Sequence, residues 1–418
     1  MNQKLFTQIR NEWRINLWLC IELLVVSVLV WYIVDCIYVN YNVLSEPQGF
    51  DVEHCYFINY DAFEEGNPNY VERTNEETIA DALEFADRLR RRPEVEAVAF
   101  SVNAYPYNGS NSGADIQIDS MIAEGYVIKR MVEPEFFKVF RYTGANGESP
   151  EQLAGLLNGN DILISENIMH QENPDVDARS LVGHYFREGY DEEGTFPYRV
   201  AGVIKNVKYN DFMQGQMNRS YIMQMPNNWL NSPVELSVRV RANMDKDFEE
   251  NIMKDAENSL RVGNFFIKKV DSFPYIRDTM QEGDFRQLKM LMIGMGFLLV
   301  NIFLGLLGTF WFRTQQRVPD IAIRMVSGAT RGDVFRLLMG EGLILLSIFT
   351  PLAILIDVNL AHAEINSWYW VNGFFSWGRL LLCAGISYLC VAVMIAAGIA
   401  IPAYRAMHIT PATALRDE

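Results

Sequence analysis

The stretch LKMLMIGMGFLLVNIFLGLLGTFWF, residues 288–312, decides the fold class because it is apolar along almost its whole length. A helix needs about 20 consecutive apolar residues to cross the hydrocarbon core of a bilayer. The single charged residue of the stretch, Lys289, lies at one end, and no proline interrupts it. The pattern predicts a membrane-spanning helix that can act as a stiff rod.

Three further apolar stretches have the same character. The predicted transmembrane helices are residues 17–39, 287–313, 334–357 and 379–402. The first stretch holds Glu22 and Asp35, and no small-residue cleavage site follows it. It is therefore interpreted as a retained span and not as a cleaved signal peptide.

The distribution of Lys and Arg predicts the orientation of these spans. Residues 314–333, between the second and third spans, are rich in arginine, whereas residues 358–377 contain neither Lys nor Arg. Cationic loops face the cytoplasm. Both termini are thus predicted to be cytoplasmic, residues 40–286 to be extracytoplasmic, residues 358–378 a short outer loop and residues 403–418 a cytoplasmic tail.

The segment before the first span, residues 1–16, repeats apolar residues at helical spacing with arginines beside them. This pattern is typical of a helix that lies in the cytoplasmic membrane interface. A simple extension of the first span explains it equally well, and the sequence leaves the two open.

The outer region is acidic and mixed in its periodicity. Residues 41–286 contain 24 Lys and Arg against 42 Asp and Glu, which argues against a nucleic-acid partner. Residues 76–91 and 245–260 have helical periodicity, whereas 125–134, 161–168, 198–207 and 234–242 alternate as half-buried strands do. The predicted fold class is an α-helical membrane protein with four transmembrane helices and a large α+β extracytoplasmic domain between the first and second spans.

No arrangement of residues indicates catalysis or a bound metal. The five histidines are scattered, and the HExxH, GxSxG, EF-hand and GxxxxGK[ST] patterns are missing. The acidic triplet at 191–193 is interpreted as a solvated loop, and the five cysteines as single buried thiols. We expect the chain not to be an enzyme and to hold no cofactor or metal.

The arginine-rich loop RVPDIAIRMVSGATRGDVFR, residues 317–336, has more structure than a turn requires. Pro319 suits the first turn of a helix, and Gly328 suits the left-handed position that ends one. Thr330 and Asp333 have the spacing of a capping box, so a second helix is predicted to start at once. One face of the short helix is apolar and the other polar; the apolar set is Ile321, Ala322, Met325 and Val326, and the polar set is Asp320, Arg324 and Ser327. Periodicity alone does not decide whether the apolar face docks into another protein or packs on lipid.

These residues resemble the cytoplasmic loop and third span of MacB/FtsX-type permeases of ATP-binding-cassette (ABC) systems. The resemblance rests on an acidic residue, an Ile-Arg pair, a Gly-Ala-Thr turn and a Glu in the following span, here Asp320, Ile323-Arg324, Gly328-Ala329-Thr330 and Glu341. The terminal stretch IPAYRAMHITPATALRDE is similar to the terminal signature of the family. Segments of the outer region, among them VEPEFFKVF and YRVAGVIKNV, occur in the order of the MacB-type core.

The resemblance implies a multi-pass permease of the bacterial plasma (inner) membrane, of the type VII, or mechanotransmission, class. Because the chain lacks a GxxxxGK[ST] motif, the ATPase of such a system is expected to be a separate polypeptide. Two permease copies, identical or homologous, are expected to assemble in the bilayer as a dimer with two ABC ATPase subunits, which bind ATP and Mg. The expected docking residues in the coupling helix are Pro319, Asp320, Ile321, Ala322, Arg324, Met325, Gly328, Ala329 and Arg331. Asp320 stands where Glu is commoner in the family and Ser327 where an aliphatic residue is usual, so Ser327 is expected to influence which ATPase fits.

The function implied is export or efflux of a peptide, antibiotic, lipid or lipoprotein, driven by movement of the periplasmic domain. An FtsX-like signalling permease, whose outer domain regulates a periplasmic or extracellular partner without transport, is the alternative. The size of the outer region favours transport. A membrane sensor without an ATPase is disfavoured, because the cytoplasmic segments are too short for a kinase or cyclase.

Four acidic residues lie inside the predicted spans, where charge is costly and usually faces protein or water. Glu22 and Glu341 are placed toward the cytoplasmic half, and Asp35 and Asp357 near the outer ends, where water is expected to be close. Hydrogen bonding between helices is favoured over a proton relay. Small residues in the spans predict close helix approach: Gly294, Gly296, Gly305, Gly308, Ala392, Ala396 and Ala400.

Overall fold

The computed structural model describes residues 13–189, 197–214, 218–257, 259–367 and 375–406. Two compact units make up the chain. One is Ser45–Phe285, and the other combines the described residues of Met1–Leu44 and Arg286–Glu418. Most of the predicted interfacial helix 1–16, the acidic triplet 191–193 and the terminal signature beyond residue 406 lie outside the described residues.

Helices and strands alternate only in the first of these units. The helices, in chain order, are α1 (Trp13–Ser45), α2 (Asn75–Arg90), α3 (Phe136–Phe140), α4 (Pro150–Leu156), α5 (Phe248–Asp255), α6 (Phe273–Met280), α7 (Glu282–Gln316), α8 (Val318–Val326), α9 (Arg331–His362) and α10 (Trp377–Ala406). The strands are β1 (Cys55–Ala62), β2 (Val95–Val102), β3 (Ser112–Ile118), β4 (Met121–Val132), β5 (Asp161–Ser165), β6 (Tyr185–Glu188), β7 (Tyr198–Ile204), β8 (Ser220–Gln224), β9 (Glu235–Val240) and β10 (Phe265–Ser272).

Four helices are long and apolar enough to cross a membrane. They cover Leu17–Ser45, Glu282–Gln316, Arg331–His362 and Trp377–Ala400. The mixed sheet lies in the chain between the first and second of them. The predicted fold class, four apolar helices with a large α+β domain after the first, is therefore confirmed.

The helical unit has its own apolar core. The most buried residues come from α1, α7, α9 and α10, and include Leu23, Val30, Leu306, Leu345 and Val391. Transfer of each of these aliphatic side chains from water to the core is worth about 1.5–3 kcal/mol. In a bilayer, close packing of the side chains determines which helices are neighbours.

Close helix approach occurs at a glycine that periodicity did not single out. A Cβ atom added at Gly342 in α9 would lie 2.8 Å from Cγ2 of Ile395 in α10. A Cβ added at Gly294, Gly296, Gly305 or Gly308 would meet nothing within 4 Å. The expectation that these four glycines of α7 bring helices together is wrong for the helices of this chain, because their surface is not covered by the described residues.

The sheet of the other unit is partly closed. Its strand order is β10-β1-β9-β2-β4-β3-β6-β7-β5-β8, and β8 also pairs with β4, so the strands from β4 to β8 form a ring. β4–β8 and β5–β7 are parallel pairs and the other pairs are antiparallel. The exposed lysines Lys268 and Lys269 lie on the edge strand β10, where charge discourages pairing with another chain.

Apolar residues fill both faces of this sheet. α2 covers one face, where Phe85, Phe100 and Ile58 are fully buried. α3 covers the other face with its buried phenylalanines, among them Phe136. The helix predicted at 76–91 and the four strands predicted from alternation are confirmed within a few residues. The half-buried character predicted for the strands is wrong for β5 and β9, because residues on both faces of these two strands are buried. The helix predicted at 245–260 is shorter, Phe248–Asp255.

Candidate functional site

The segment predicted to be a coupling helix contains α8, a short helix between α7 and α9. Pro319 lies in its first turn, where a missing backbone N–H costs nothing. Ile321 and Ala322 are buried, with 4% and 5% of their surface exposed, and Met325 is half-buried against the same core. The apolar face therefore packs on the helices of this chain, an arrangement that neither the docking nor the lipid interpretation anticipated.

The opposite face of α8 is exposed and also partly apolar. Ile323 and Val326 expose 54% and 67% of their surface, and Asp320 and Arg324 are exposed beside them. Val326 was expected on the same face as Ile321, and the structure corrects this. The surface that a partner protein can reach consists of Ile323, Arg324 and Val326, with Asp320 at its edge.

The turn after α8 has the predicted helix–break–helix form. Gly328 has a φ of +95°, in the left-handed region that favours glycine. The Ala329 N–H donates to the Arg324 carbonyl at 3.0 Å, which satisfies the helix end. The side chain of Thr330 accepts from the Asp333 N–H, the Asp333 carboxylate accepts from the Thr330 N–H, and exposed Arg331 opens α9. The break and capping box are thus confirmed.

The Ser327 hydroxyl donates to the Ile323 carbonyl at 2.9 Å. Its side chain lies at the end of α8 and is exposed. The hydroxyl proton is thereby used within α8, whereas the exposed oxygen can still accept a hydrogen bond.

Three helices meet at one carboxylate near the start of α8. Glu341 of α9 has 5% of its surface exposed and accepts hydrogen bonds from Arg313 of α7 and from Arg317, the residue that caps α8. Removing a carboxylate from water is costly unless it is paired and hydrogen-bonded, and here two guanidinium groups pair with it. The contact joins the end of α7, the start of α8 and the first third of α9.

A second intramembrane carboxylate connects α1 and α7. Both oxygens of Glu22 lie 3.0 Å from the Thr309 hydroxyl. Hydrogen bonding between helices, the interpretation favoured for Glu22 and Glu341, is confirmed.

The two outer acidic residues are not close to water. Asp35 is fully buried and pairs with Arg379, whose Nε lies 2.6 Å from Oδ1, and with the Asn366 amide at 2.7 Å. Asp357 exposes only 2% of its surface. The expectation of a hydrated environment was wrong, because α1, α9 and α10 pack around these groups and Arg379, which follows the arginine-free loop, supplies the counter-charge.

The unit Ser45–Phe285 contains a polar network that the sequence did not reveal. Asp211 is 3% exposed, and Oδ1 accepts from Gln48 at 2.6 Å and from the Tyr107 hydroxyl at 2.9 Å. Oδ2 accepts from Arg277 Nε at 2.7 Å and from Gln281 Nε2 at 3.2 Å. Burial and the Asp211 charge raise the pKa of Tyr107, which keeps the hydroxyl protonated as a donor.

Two partners of Asp211 lie next to apolar helices in the chain. Gln48 follows α1 by three residues, and Gln281 is the single residue between α6 and α7. The two chain segments next to the first and second apolar helices therefore bind one carboxylate. Asp211 could not be identified from its surroundings in sequence, because its partners are 66 to 163 residues away.

Among the described residues no group of three or more His, Cys, Asp or Glu could hold a metal ion. The five cysteines are free; Cys20, Cys36, Cys55 and Cys383 are buried and Cys390 is half-buried. Burial raises the pKa of the Cys55 thiol to about 12, which makes it unreactive.

No protein-family model matches the sequence, and no curated protein is similar enough to match it. The periplasmic region of MacB from Actinobacillus actinomycetemcomitans aligns with 58% of this chain and 97% of its own length, at 11% identity and a TM-score of 0.30. The extracellular domain of the noncanonic ABC-type transporter YknZ from Gram-positive bacteria aligns with 51% of this chain and 100% of its own, at 14% identity and the same TM-score of 0.30. Likeness of this degree establishes neither the fold nor the function of this chain.

Proposed function

We propose that the chain is the membrane subunit of an ABC system, a permease that couples ATP hydrolysis by a separate ATPase to movement of its outer domain. The observation that carries the proposal is α8, a nine-residue helix with a partly apolar exposed face. Its other face is fixed to the helical core through Ile321 and Ala322. A helix anchored in this way can receive force from a docked protein and pass it to α7 and α9.

The Glu341 ion pairs supply the mechanical connection in this proposal. Arg317 caps α8, Arg313 lies in the last turn of α7, and both bind the same carboxylate of α9. A displacement of α8 is therefore resisted by charge-assisted hydrogen bonds to two long helices and not by apolar contacts alone. α7 continues without a break from Gln316 to Glu282.

Export or efflux is the activity we favour, with the outer domain acting on a peptide, antibiotic, lipid or lipoprotein. The outer unit, Ser45–Phe285, is large enough to hold two apolar cores. The family resemblance of the loop and terminal motifs, stated above, supports this class. The same ATPase docking would serve a signalling permease, and transport of a cargo distinguishes the two.

The exposed face of α8 gives a sharp test of docking. The double variant Ile323→Asp with Val326→Asp places two charges where an apolar groove is expected, so an ABC ATPase that co-purifies with the wild-type protein should be lost. The wild-type residues expose more than half of their surface, so the fold should be retained, as checked by the thermal unfolding midpoint.

Val182→Asp is the matched control, because Val182 is 45% exposed but belongs to the outer unit. ATPase binding should be unchanged in this variant. Retained ATPase binding by the folded Ile323→Asp, Val326→Asp protein would refute docking through α8.

A further inference from the structure

Strands β1 and β9 of the sheet unit, Ser45–Phe285, separate before they end. β1 pairs with β10 along almost its whole length, but with β9 only from Cys55 to Phe57. β9 does not follow β1 because it stays paired with β2 as far as Glu235. A cleft of about 370 Å³ lies where the two strands part.

Backbone groups of β1 face this cleft without a strand partner. Alternate residues of an antiparallel strand turn their N–H and C=O groups to the same neighbour. The His54 carbonyl accepts from the Val240 N–H on the β9 side, whereas the Phe63 N–H donates on the β10 side. Tyr60 therefore turns its backbone N–H and C=O to the β9 side, where they have no hydrogen-bond partner among the described residues. An extended peptide can pair with such an edge as an added strand.

A carboxylate without a counter-ion lines the same cleft. Glu235, at the start of β9, accepts from the Ser101 hydroxyl at 2.7 Å and from two backbone N–H groups at 2.8 and 3.1 Å. All three donors are neutral, and no Lys, Arg or His in the described part of the chain forms an ion pair with Glu235. Glu133 is also half-buried, and its carboxylate lies 3.1 Å from Arg90. A cationic group of a ligand in the cleft would supply the counter-ion that Glu235 lacks.

Aromatic side chains form part of the cleft wall. Phe57 and Tyr60 line it from β1, and Trp229, which is 44% exposed, lines it from the turn before β9. The Tyr60 hydroxyl accepts from the Val234 N–H at 3.0 Å, and its ring stacks on Phe85 with 5.2 Å between the ring centroids. The Tyr60 ring is thus held in place. Aromatic faces attract Lys and Arg side chains and also pack against apolar ones.

We propose that the cleft between β1 and β9 binds a free cationic peptide in extended form. The peptide backbone pairs with Tyr60 on the edge of β1, and a Lys or Arg side chain of the peptide lies next to Glu235. The excess of Asp and Glu over Lys and Arg in residues 41–286 adds a long-range attraction for such a peptide. Among the cargo classes named above, the site selects a cationic peptide, and that step alone rests on the proposed function.

The test measures binding of a short labelled peptide of alternating Val and Lys residues to the full-length protein in detergent, by fluorescence anisotropy. Ser232→Arg adds a cation at an exposed residue that lines the cleft. It should weaken binding about tenfold or more, because like charges oppose each other. Glu235→Gln removes the negative charge and should weaken binding in the same direction, with the thermal unfolding midpoint as the check on its fold.

Ser120→Arg is the matched control, because it makes the same change at an exposed serine in the turn between β3 and β4. Its affinity for the peptide should equal that of the wild type. The same peptide with an N-methylated backbone cannot donate to the Tyr60 carbonyl and should bind several-fold more weakly. Lysine amide, which carries the cation without the strand, should not displace the labelled peptide at equal concentration.

Unchanged affinity in both Ser232→Arg and Glu235→Gln would overturn the site. Equal binding of the N-methylated peptide, or full displacement by lysine amide, would assign the cleft to a small cation and overturn the peptide. Peptide binding is measured without an ATPase, so its failure leaves docking through α8 untouched, and the Ile323→Asp, Val326→Asp protein should bind the peptide as the wild type does.

The cargo role has its own measurement. In the complex with its ATPase, the peptide should stimulate ATP hydrolysis by the wild-type and Ser120→Arg proteins and not by Ser232→Arg. Peptide binding without stimulation in the wild-type complex would overturn the cargo role while leaving the binding site.

Discussion

At the scale of single residues, Glu341 illustrates how much a sequence can indicate about a buried charge. An acidic residue inside an apolar stretch is costly, so a partner was predictable. That the partners are Arg313 and Arg317 was not, because they lie 28 and 24 residues away on two other helices. The contact exists only when α7, α8 and α9 are packed together.

Neutralising this carboxylate should loosen the coupling helix. In Glu341→Gln two guanidinium groups lose their counter-charge, and breaking a buried ion pair typically costs about 3–5 kcal/mol. We expect faster hydrogen exchange of backbone amides in Val318–Val326 and weaker coupling between ATP hydrolysis and the outer domain.

Glu22→Gln is the control for that variant, because a Gln side-chain oxygen can still accept from the Thr309 hydroxyl. In the Glu22→Gln variant, hydrogen exchange of the α8 backbone amides should be as slow as in the wild type. Unchanged exchange and unchanged coupling in Glu341→Gln would show that the ion pairs do not hold α8.

At the scale of elements, the position of α8 was predicted correctly, but the surroundings of its apolar face were not. Pro319, Gly328 and the Thr330–Asp333 box act on neighbouring residues, so local sequence sufficed to fix where the two helices begin and end. Which residues cover the apolar face of α8 depends on the tertiary structure. The helical core of the chain buries Ile321, whereas Ile323 and Val326 stay exposed.

The glycines of the spans give a second test at this scale. Gly342→Leu must displace Ile395 and Ile399, whose side chains would lie 2.8 and 3.0 Å from the new Cβ. Overpacking of a close contact typically costs about 1–3 kcal/mol. We expect a lower thermal unfolding midpoint and separation of α9 from α10, measured by the efficiency of disulfide cross-links between them.

Gly308→Leu is the comparison, because a Cβ there meets nothing within 4 Å. The midpoint of this variant should be close to that of the wild type. Equal destabilisation by both substitutions would contradict the packing of α9 against α10.

At the scale of the whole molecule, the chain forms a helical unit and a sheet unit, and each has its own apolar core. The sheet unit carries most of the acidic residues, and its sheet has an apolar core on each face. The segments on either side of this unit continue into α1 and α7. Asp211 is the residue that binds both of those segments.

Replacing Asp211 should therefore release the two ends of the sheet unit from each other. Asp211→Asn removes the negative charge and replaces one of the two acceptor oxygens with an NH2 group, so two of the four donors around the side chain lose their acceptor. An unsatisfied buried group costs about 1–3 kcal/mol. Spin labels at Glu46 and Glu282 in the full-length protein should show a broader distance distribution than in the wild type.

Asp161→Asn is the matched control, since it breaks the more exposed pair with Arg199. Such surface pairs contribute about 0–1 kcal/mol, so its distance distribution should stay narrow. A narrow distribution in Asp211→Asn would exclude a joining role for this carboxylate.

The sequence by itself determined the class of the protein and its local structure. The signals that determined them are short-range: runs of apolar residues, alternation, proline, glycine and capping residues. Each of these signals acts within one helix or one strand, so it does not depend on the rest of the fold. Only the tertiary structure decided which charges pair, which face of α8 is left exposed, which glycine is crowded and where Asp211 and Glu235 lie. These features depend on contacts between residues distant in sequence, and such contacts are set by the packing of the two apolar cores and the helical bundle.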